Sequence, residues 1–195
     1  MPDPLAALLA YSGHELRTPL TSLTLATQMC ADGTLGPLTS AQAETLAGAV
    51  SDCSRLRHLI DLLADPVLAG DQGRLARSPI DAPAVLAAAV AMVQELAAER
   101  GVLLVDAPQP PLPSIHADPV RLARAIEQAI VHALLGARRG STVVAQPAVA
   151  GFVIVWQPEA DASLRTMPLW IGERLVTAMG GRVEAGADRI AITFG

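Results

Sequence analysis

Apolar residues recur at helical spacing from the start of the chain. Leu5, Leu9, Leu16, Leu20, Leu23 and Cys30 fall in one stripe about 80° wide at about 100° per residue, which predicts a helix over 4–31. Gly33, Gly36 and Pro37 end it. Thr39-Ser40-Ala41-Gln42 has the form of a capping box for a second helix. Leu46, Val50, Cys53, Leu56, Ile60 and Leu63 then repeat at near-heptad spacing to about Asp65. Two such helices joined by a short turn make an αα-hairpin. A narrow apolar seam on a lone hairpin stays partly uncovered, so pairing of two copies into a four-helix bundle is expected.

A change of pattern falls at Pro66–Ser78, with Gly70, Gly73 and Pro79. Beyond it, helix and strand periods alternate. The spacing predicts helices over 83–100, 118–138 and 168–179. Strands are predicted over 102–105, 113–117, 142–146, 152–156, 182–185 and 189–194. Asp118 and Pro119 form an N-cap with proline at N1, and Gly180-Gly181 is a strong helix stop. Residues 106–113 and 157–167 read as loops. Helices mixed with mainly antiparallel strands predict a two-layer α/β sandwich, so the fold class is α+β. The domains expected are 1–66 and 74–195.

Composition narrows the chemistry. Among 195 residues there are 36 alanines, and all fourteen basic residues are arginine. Lysine and asparagine are both absent. Without lysine there is no Walker-type phosphate loop and no lysine Schiff base. The net charge of −5 and isoelectric point near 5.3 argue against a nucleic-acid surface. Cys30 and Cys53 sit in helical patterns and read as buried free thiols of a reducing cytoplasm. The longest apolar run, Pro83–Val93, lies between Asp81 and Glu95. It falls short of the roughly 20 residues of a membrane span, so no membrane segment is expected, and Asp3 without a basic region argues against a signal peptide.

The chemistry concentrates in Ser12-Gly13-His14-Glu15-Leu16-Arg17-Thr18-Pro19-Leu20-Thr21-Ser22-Leu23. His14 lies about 170° from the centre of the apolar stripe, with Thr18, Thr21 and Leu25 on its face. A neutral imidazole there can accept and donate a phosphoryl group. Glu15 can hold the other ring proton. Pro19 removes the hydrogen bond to the Glu15 carbonyl, so a bend is expected there. Arg17 reads equally as a solvated arginine or a phosphate contact.

This box closely resembles the phosphoacceptor box of sensor histidine kinases, and the hairpin resembles their dimerisation and histidine-phosphotransfer domain. The resemblance implies that His14, Glu15 and Thr18 are catalytic, with Thr18 placing a water for dephosphorylation of the partner. It implies response-regulator receiver domains as partners, docking through Arg17, Thr21, Leu25 and the second helix, and a homodimer. Residues 74–195 resemble the family's ATP-binding, Bergerat-type domain. Asp118-Pro119-Val120-Arg121-Leu122 opens a helix as that family's does, and Leu175-Val176 with Ala178-Met179-Gly180-Gly181-Arg182-Val183 resembles its last helix and turn.

The nucleotide motifs depart from the family pattern. Gln128 and His132 stand where the family has two asparagines, the second a Mg²⁺ ligand. Histidine is a poor substitute, because Mg²⁺ prefers oxygen. Gln157-Pro158-Glu159-Ala160-Asp161 replaces Asp-x-Gly-x-Gly, with Glu159 or Asp161 as the nearest mimics of its Asp. Met167-Pro168-Leu169-Trp170 replaces a Gly-rich helix start. A degenerate site, no ATP cofactor and no metal site of its own are therefore expected, with Mg²⁺ supplied by the response regulator. The expected function is a cytoplasmic phosphotransferase relaying phosphoryl groups between His14 and response-regulator aspartates. The alternatives are an ATP-dependent autokinase with a divergent site and a noncatalytic response-regulator scaffold.

Overall fold

The computed structural model describes residues 4–65, 68, 75–107, 115–159 and 166–195. Two compact units divide between residues 71 and 72. The first is a helical hairpin of α1 (Pro4–Ala31) and α2 (Ser40–Leu63). α1 runs unbroken through Pro19. α2 starts on the expected capping box: Thr39 Oγ1 accepts from Gln42 N–H, and Gln42 Oε1 accepts from Thr39 N–H at 2.9 Å. Each bond satisfies a backbone donor that the helix start leaves open.

The apolar stripe of α1 divides between two surfaces. Leu20 is buried in a cluster with Cys53 and Ile60 of α2. Thr24, one turn on, is also buried, its hydroxyl donating to the Leu20 carbonyl at 2.7 Å. Leu16 and Leu23, expected in the same seam, are 52% and 55% exposed, and Leu56 of α2 is 49% exposed. A helical wheel groups these residues, but the hairpin contact engages only one edge of the group. Cys53 is buried as expected, whereas Cys30 is only half-buried.

The second unit lays α3 (Ala82–Arg100), α4 (Pro119–Gly136) and α5 (Met167–Ala178) against a five-stranded sheet. The strands are β2 (Leu103–Asp106), β4 (Thr142–Ala148), β5 (Gly151–Val155), β6 (Gly181–Ala185) and β7 (Arg189–Phe194). Their order is β2-β4-β5-β7-β6, with β2 parallel to β4 and the other pairs antiparallel. A two-residue ladder pairs β3 (His116–Ala117), within the strand expected over 113–117, with β1 (Ser78–Pro79), which the sequence pattern does not predict. Phe152 and Ile154 of central β5 are fully buried, as are Ile126 and Ile130 of α4. At Gly151 the neighbouring strand is so close that an added Cβ would lie 1.8 Å from the Ile192 carbonyl oxygen.

Asp118 caps α4 and binds it to the chain before α3. Its Oδ1 accepts from Val120 and Arg121 N–H, both at 3.1 Å. Its Oδ2 accepts from Ala76 N–H at 3.0 Å and from Arg121 Nη1 at 2.7 Å. Burial pushes this carboxyl's pKa up. The Ala76 and Arg121 backbone bonds and the Arg121 guanidinium outweigh it and hold the pKa below its ordinary value.

α3 has a short uninterrupted apolar run, yet among the described residues it is the one helix long and apolar enough, at a mean hydropathy of 1.4 over an 18-residue window, to pass a membrane-span count by length and composition alone, as core helices also can. The cause is alanine. Val85, Leu86, Ala89, Val90, Val93 and Ala97 form the packed stripe, while Ala84, Ala87, Ala88 and Ala91 occupy the exposed face. Its end is punctuated by Gly101 in the left-handed conformation, φ +62°.

Candidate functional site

His14 lies in the third turn of α1, and its side chain is outside the described residues. The backbone around it is fixed by the approach of the two helices. Gly13, immediately before it, is buried, and an added Cβ would lie 2.8 Å from Ala64 Cβ and 3.5 Å from the Ile60 carbonyl oxygen. Glycine thus lets α1 rest directly on the C-terminal end of α2, and it sets the antiparallel register at the phosphoacceptor box. No pattern in the sequence marked Gly13 as a contact, because it carries no apolar side chain.

Glu15, Arg17, Thr18, Thr21 and Leu25 are all exposed. Arg17 is engaged: its Nε and Nη2 both donate to Oδ1 of Asp61 on α2, at 3.0 and 2.9 Å. Asp61 was not singled out from the sequence. It neighbours Ile60 on the stripe, but only the helix register reveals its partner. The Thr21 hydroxyl donates to the Arg17 carbonyl at 2.8 Å, and Ser22 Oγ donates to the Thr18 carbonyl at 3.4 Å. Leu25 is 58% exposed. The face therefore carries a carboxylate, hydroxyl groups and an apolar side chain within three turns.

In the second unit, Gln128 and His132 lie one turn apart on α4, and each is 2% exposed. His132 Nδ1 shares a hydrogen bond of 2.9 Å with the Thr166 hydroxyl. Thr166 is itself the N-cap of α5, accepting from Leu169 N–H at 3.4 Å. The imidazole also meets Trp156 edge-on, with centroids 5.7 Å apart and planes at 86°. Burial pushes the His132 pKa below its ordinary value. Gln128 Nε2 donates to Glu127 Oε1 at 3.1 Å, while its Oε1 has no hydrogen-bond partner among the described residues. Gly172 lets α5 lie against this stretch, where a Cβ would be 3.2 Å from the Ala125 carbonyl oxygen.

The segment after β5 is bound to the end of α4. Arg138 N–H donates to the Gln157 carbonyl at 3.0 Å, Arg138 Nη2 to Gln157 Oε1 at 3.1 Å, and Glu159 N–H to the Gly136 carbonyl at 2.8 Å. Glu159 itself is exposed, and Asp161 lies outside the described residues. Of the residues at the resembled nucleotide positions that are described, Gln128 and His132 are buried and Glu159 is on the surface. Thr166 and Trp156, the partners of His132, were not assigned to the site from sequence. Among the described residues, no three His, Cys, Asp or Glu side chains are grouped to hold a metal.

Residues 5–66 match the family model for the His Kinase A (phospho-acceptor) domain. A search of the curated proteins by sequence returns no match. Among solved structures, full-length ShkA in complex with AMPPNP is similar at a TM-score of 0.66 and 22% identity. That similarity covers 95% of this chain and 44% of ShkA, so the chain spans less than half of that protein's length. The Acinetobacter baumannii histidine kinase AdeS is similar at a TM-score of 0.53 and 17% identity, over 93% of this chain and 97% of AdeS. The cytoplasmic segment of histidine kinase QseC gives 0.52 and 16%, over 73% of this chain and 93% of that one. Residues 5–66 therefore match a His Kinase A phospho-acceptor domain, and the chain as a whole, with its following α/β unit, shares the fold of solved histidine kinase structures.

Proposed function

We propose that this protein is a phosphotransferase of two-component signalling. His14 takes a phosphoryl group from the aspartyl phosphate of one response-regulator receiver domain and passes it to the aspartate of another. In the first step the acyl-phosphate P–O bond breaks, a P–N bond to the imidazole forms, and the carboxylate leaves. The ring proton passes to Glu15 or water. The second step is the reverse on a different aspartate. Mg²⁺ enters with the receiver domain, where carboxylates suit it. Thr18 places the water when the partner is dephosphorylated instead. The exposed face of Glu15, Arg17, Thr18, Thr21 and Leu25 supplies the docking surface.

The observation that carries this reading is the contrast between the two units. The phosphoacceptor box is complete from His14 to Leu20. In the other unit, the residue at the Mg²⁺-ligand position, His132, is buried and shares its Nδ1 hydrogen bond with Thr166. Its donor is nitrogen, a poor match for Mg²⁺, so Mg-ATP does not fit this set of residues. The competing reading is an ATP-dependent autokinase, and ShkA, similar in fold, is recorded with AMPPNP. Comparing two donors side by side separates them. Labelled receiver-domain phosphate is expected to label the protein, and γ-labelled Mg-ATP is not. Label from Mg-ATP that His14→Ala abolishes contradicts the relay. Partner binding with no label from either donor favours a scaffold.

The active unit in this reading is a homodimer in the cytoplasm, the compartment of the QseC segment it resembles. Leu16, Leu23 and Cys30 repeat every seven residues along α1 and are exposed or half-exposed. The last of them opens on an apolar pocket of about 440 Å³ beside the hairpin turn, shared with Leu38, Ala41 and Leu46. A second hairpin covers this seam by coiled-coil packing.

A further inference from the structure

The Arg17–Asp61 pair has an unequal geometry. Two guanidinium nitrogens converge on one carboxylate oxygen, Oδ1, at 3.0 and 2.9 Å. A fork-to-fork pair engages both oxygens and is stronger. Both side chains are about two-fifths exposed, at 43% and 41%. An exposed ion pair of this kind is weak, and water or a better acceptor displaces it readily. Its place is nevertheless fixed. The close contact of Gly13 with Ala64 sets the α1–α2 register, and the same register brings residue 17 to residue 61.

Arg17 is three residues beyond His14, so their Cβ atoms are neighbours on the helix surface, about 5–6 Å apart. A phosphoryl group on His14 brings up to two negative charges and three acceptor oxygens within reach of that guanidinium. It is a stronger acceptor than one carboxylate oxygen, and guanidinium matches phosphoryl geometry with two parallel bonds. We propose that Asp61 is a positioning residue: it holds Arg17 beside the unphosphorylated His14 and yields it to the phosphoryl group once that group arrives. The exchange leaves Asp61 bare on α2 and neutralises Arg17 on α1, so the charged and uncharged forms present different surfaces to a receiver domain. The inference rests on the reading of His14 as phosphoacceptor.

The test uses the full chain and phosphoramidate as donor. Its P–N bond breaks, a P–N bond to an imidazole nitrogen of His14 forms, and ammonia leaves with the proton. The ¹⁵N-resolved Arg17 Nε–H resonance is followed together with the ³¹P resonance of phosphohistidine. Before phosphorylation, Asp61→Asn is expected to move the Arg17 resonance. After it, wild type and Asp61→Asn are expected to coincide at a new position. Arg17→Gln is expected to raise the titration midpoint of the phosphoryl group by about half a unit, through loss of a nearby cation, and Arg17→Lys to restore part of that shift. A ³¹P signal with the Arg17 resonance unmoved from its Asp61-bound position overturns the exchange but not the phosphoacceptor. So does a phosphoryl midpoint indifferent to Arg17→Gln. No ³¹P signal in wild type overturns the phosphoacceptor and the exchange together.

Discussion

Replacing His132 with alanine tests how the second unit uses this buried imidazole. The substitution removes the bond to the Thr166 hydroxyl, about 1 kcal/mol, and the edge-on contact with Trp156, about 1 kcal/mol. It also opens a void where a 2%-exposed ring sat, bringing the expected total loss to about 3 kcal/mol at neutral pH. Urea denaturation followed by Trp fluorescence measures it. The pH dependence is more specific. His132 is neutral when folded, its pKa held below the ordinary 6.5 by burial. Unfolding therefore takes up a proton at pH values below about 6.5, until the folded pKa is reached. Wild type retains this contribution in full above that pH and loses it as pH falls, by at most about 1.4 kcal/mol per unit. His132→Ala has no such term. The stability gap between the two proteins should narrow as pH falls from 7 to 5. A gap that is constant or widens toward acid refutes the neutral, packed imidazole.

Three other perturbations follow from the packing. Asp118→Ala should cost about 2 kcal/mol by chemical denaturation, since one carboxylate caps α4 and accepts from Ala76 and Arg121. The charged form is the one stabilised, so this contribution should be complete above about pH 4 and disappear as pH falls through the lowered folded pKa. Gly151→Ala places a Cβ 1.8 Å from the Ile192 carbonyl oxygen and should destabilise the sheet by more than about 2 kcal/mol, measured by amide exchange in β5 and β7. Leu23→Glu puts a charge into the exposed heptad seam and should convert the proposed dimer into a monomer by light-scattering mass, with the helical content of each chain unchanged.

Local signals carried most of the fold. Thr39 with Gln42, Asp118 with Pro119, and Gly180 at φ +88° each fix a helix end by chemistry confined to a few residues, and the boundaries fall there. What escaped the sequence depends on register or on the neighbour. The wheel placed Leu16, Leu20 and Leu23 together, but only the hairpin contact shows that Leu20 meets α2 while the other two do not. Thr24 is buried because its hydroxyl bonds within its own helix, which an apolar count misses. The β1–β3 ladder is two residues long and contains Pro79, too short for a period. Alanine on the exposed face of α3 hides its amphipathicity. In the site, the box around His14 is contiguous and therefore legible. Asp61 and Thr166 are distant in sequence from the residues they bind, so only the structure brings them in.

In the proposed relay the phosphoryl group resides on His14 and arrives from a receiver domain. The most direct measurement of this is fragment mass spectrometry of the full chain after exposure to a phosphorylated receiver domain, without nucleotide. A single phosphate on the residue-14 imidazole, stable to alkali and labile to acid, is expected. No phosphate on the chain, or phosphate on any residue other than His14, contradicts the relay.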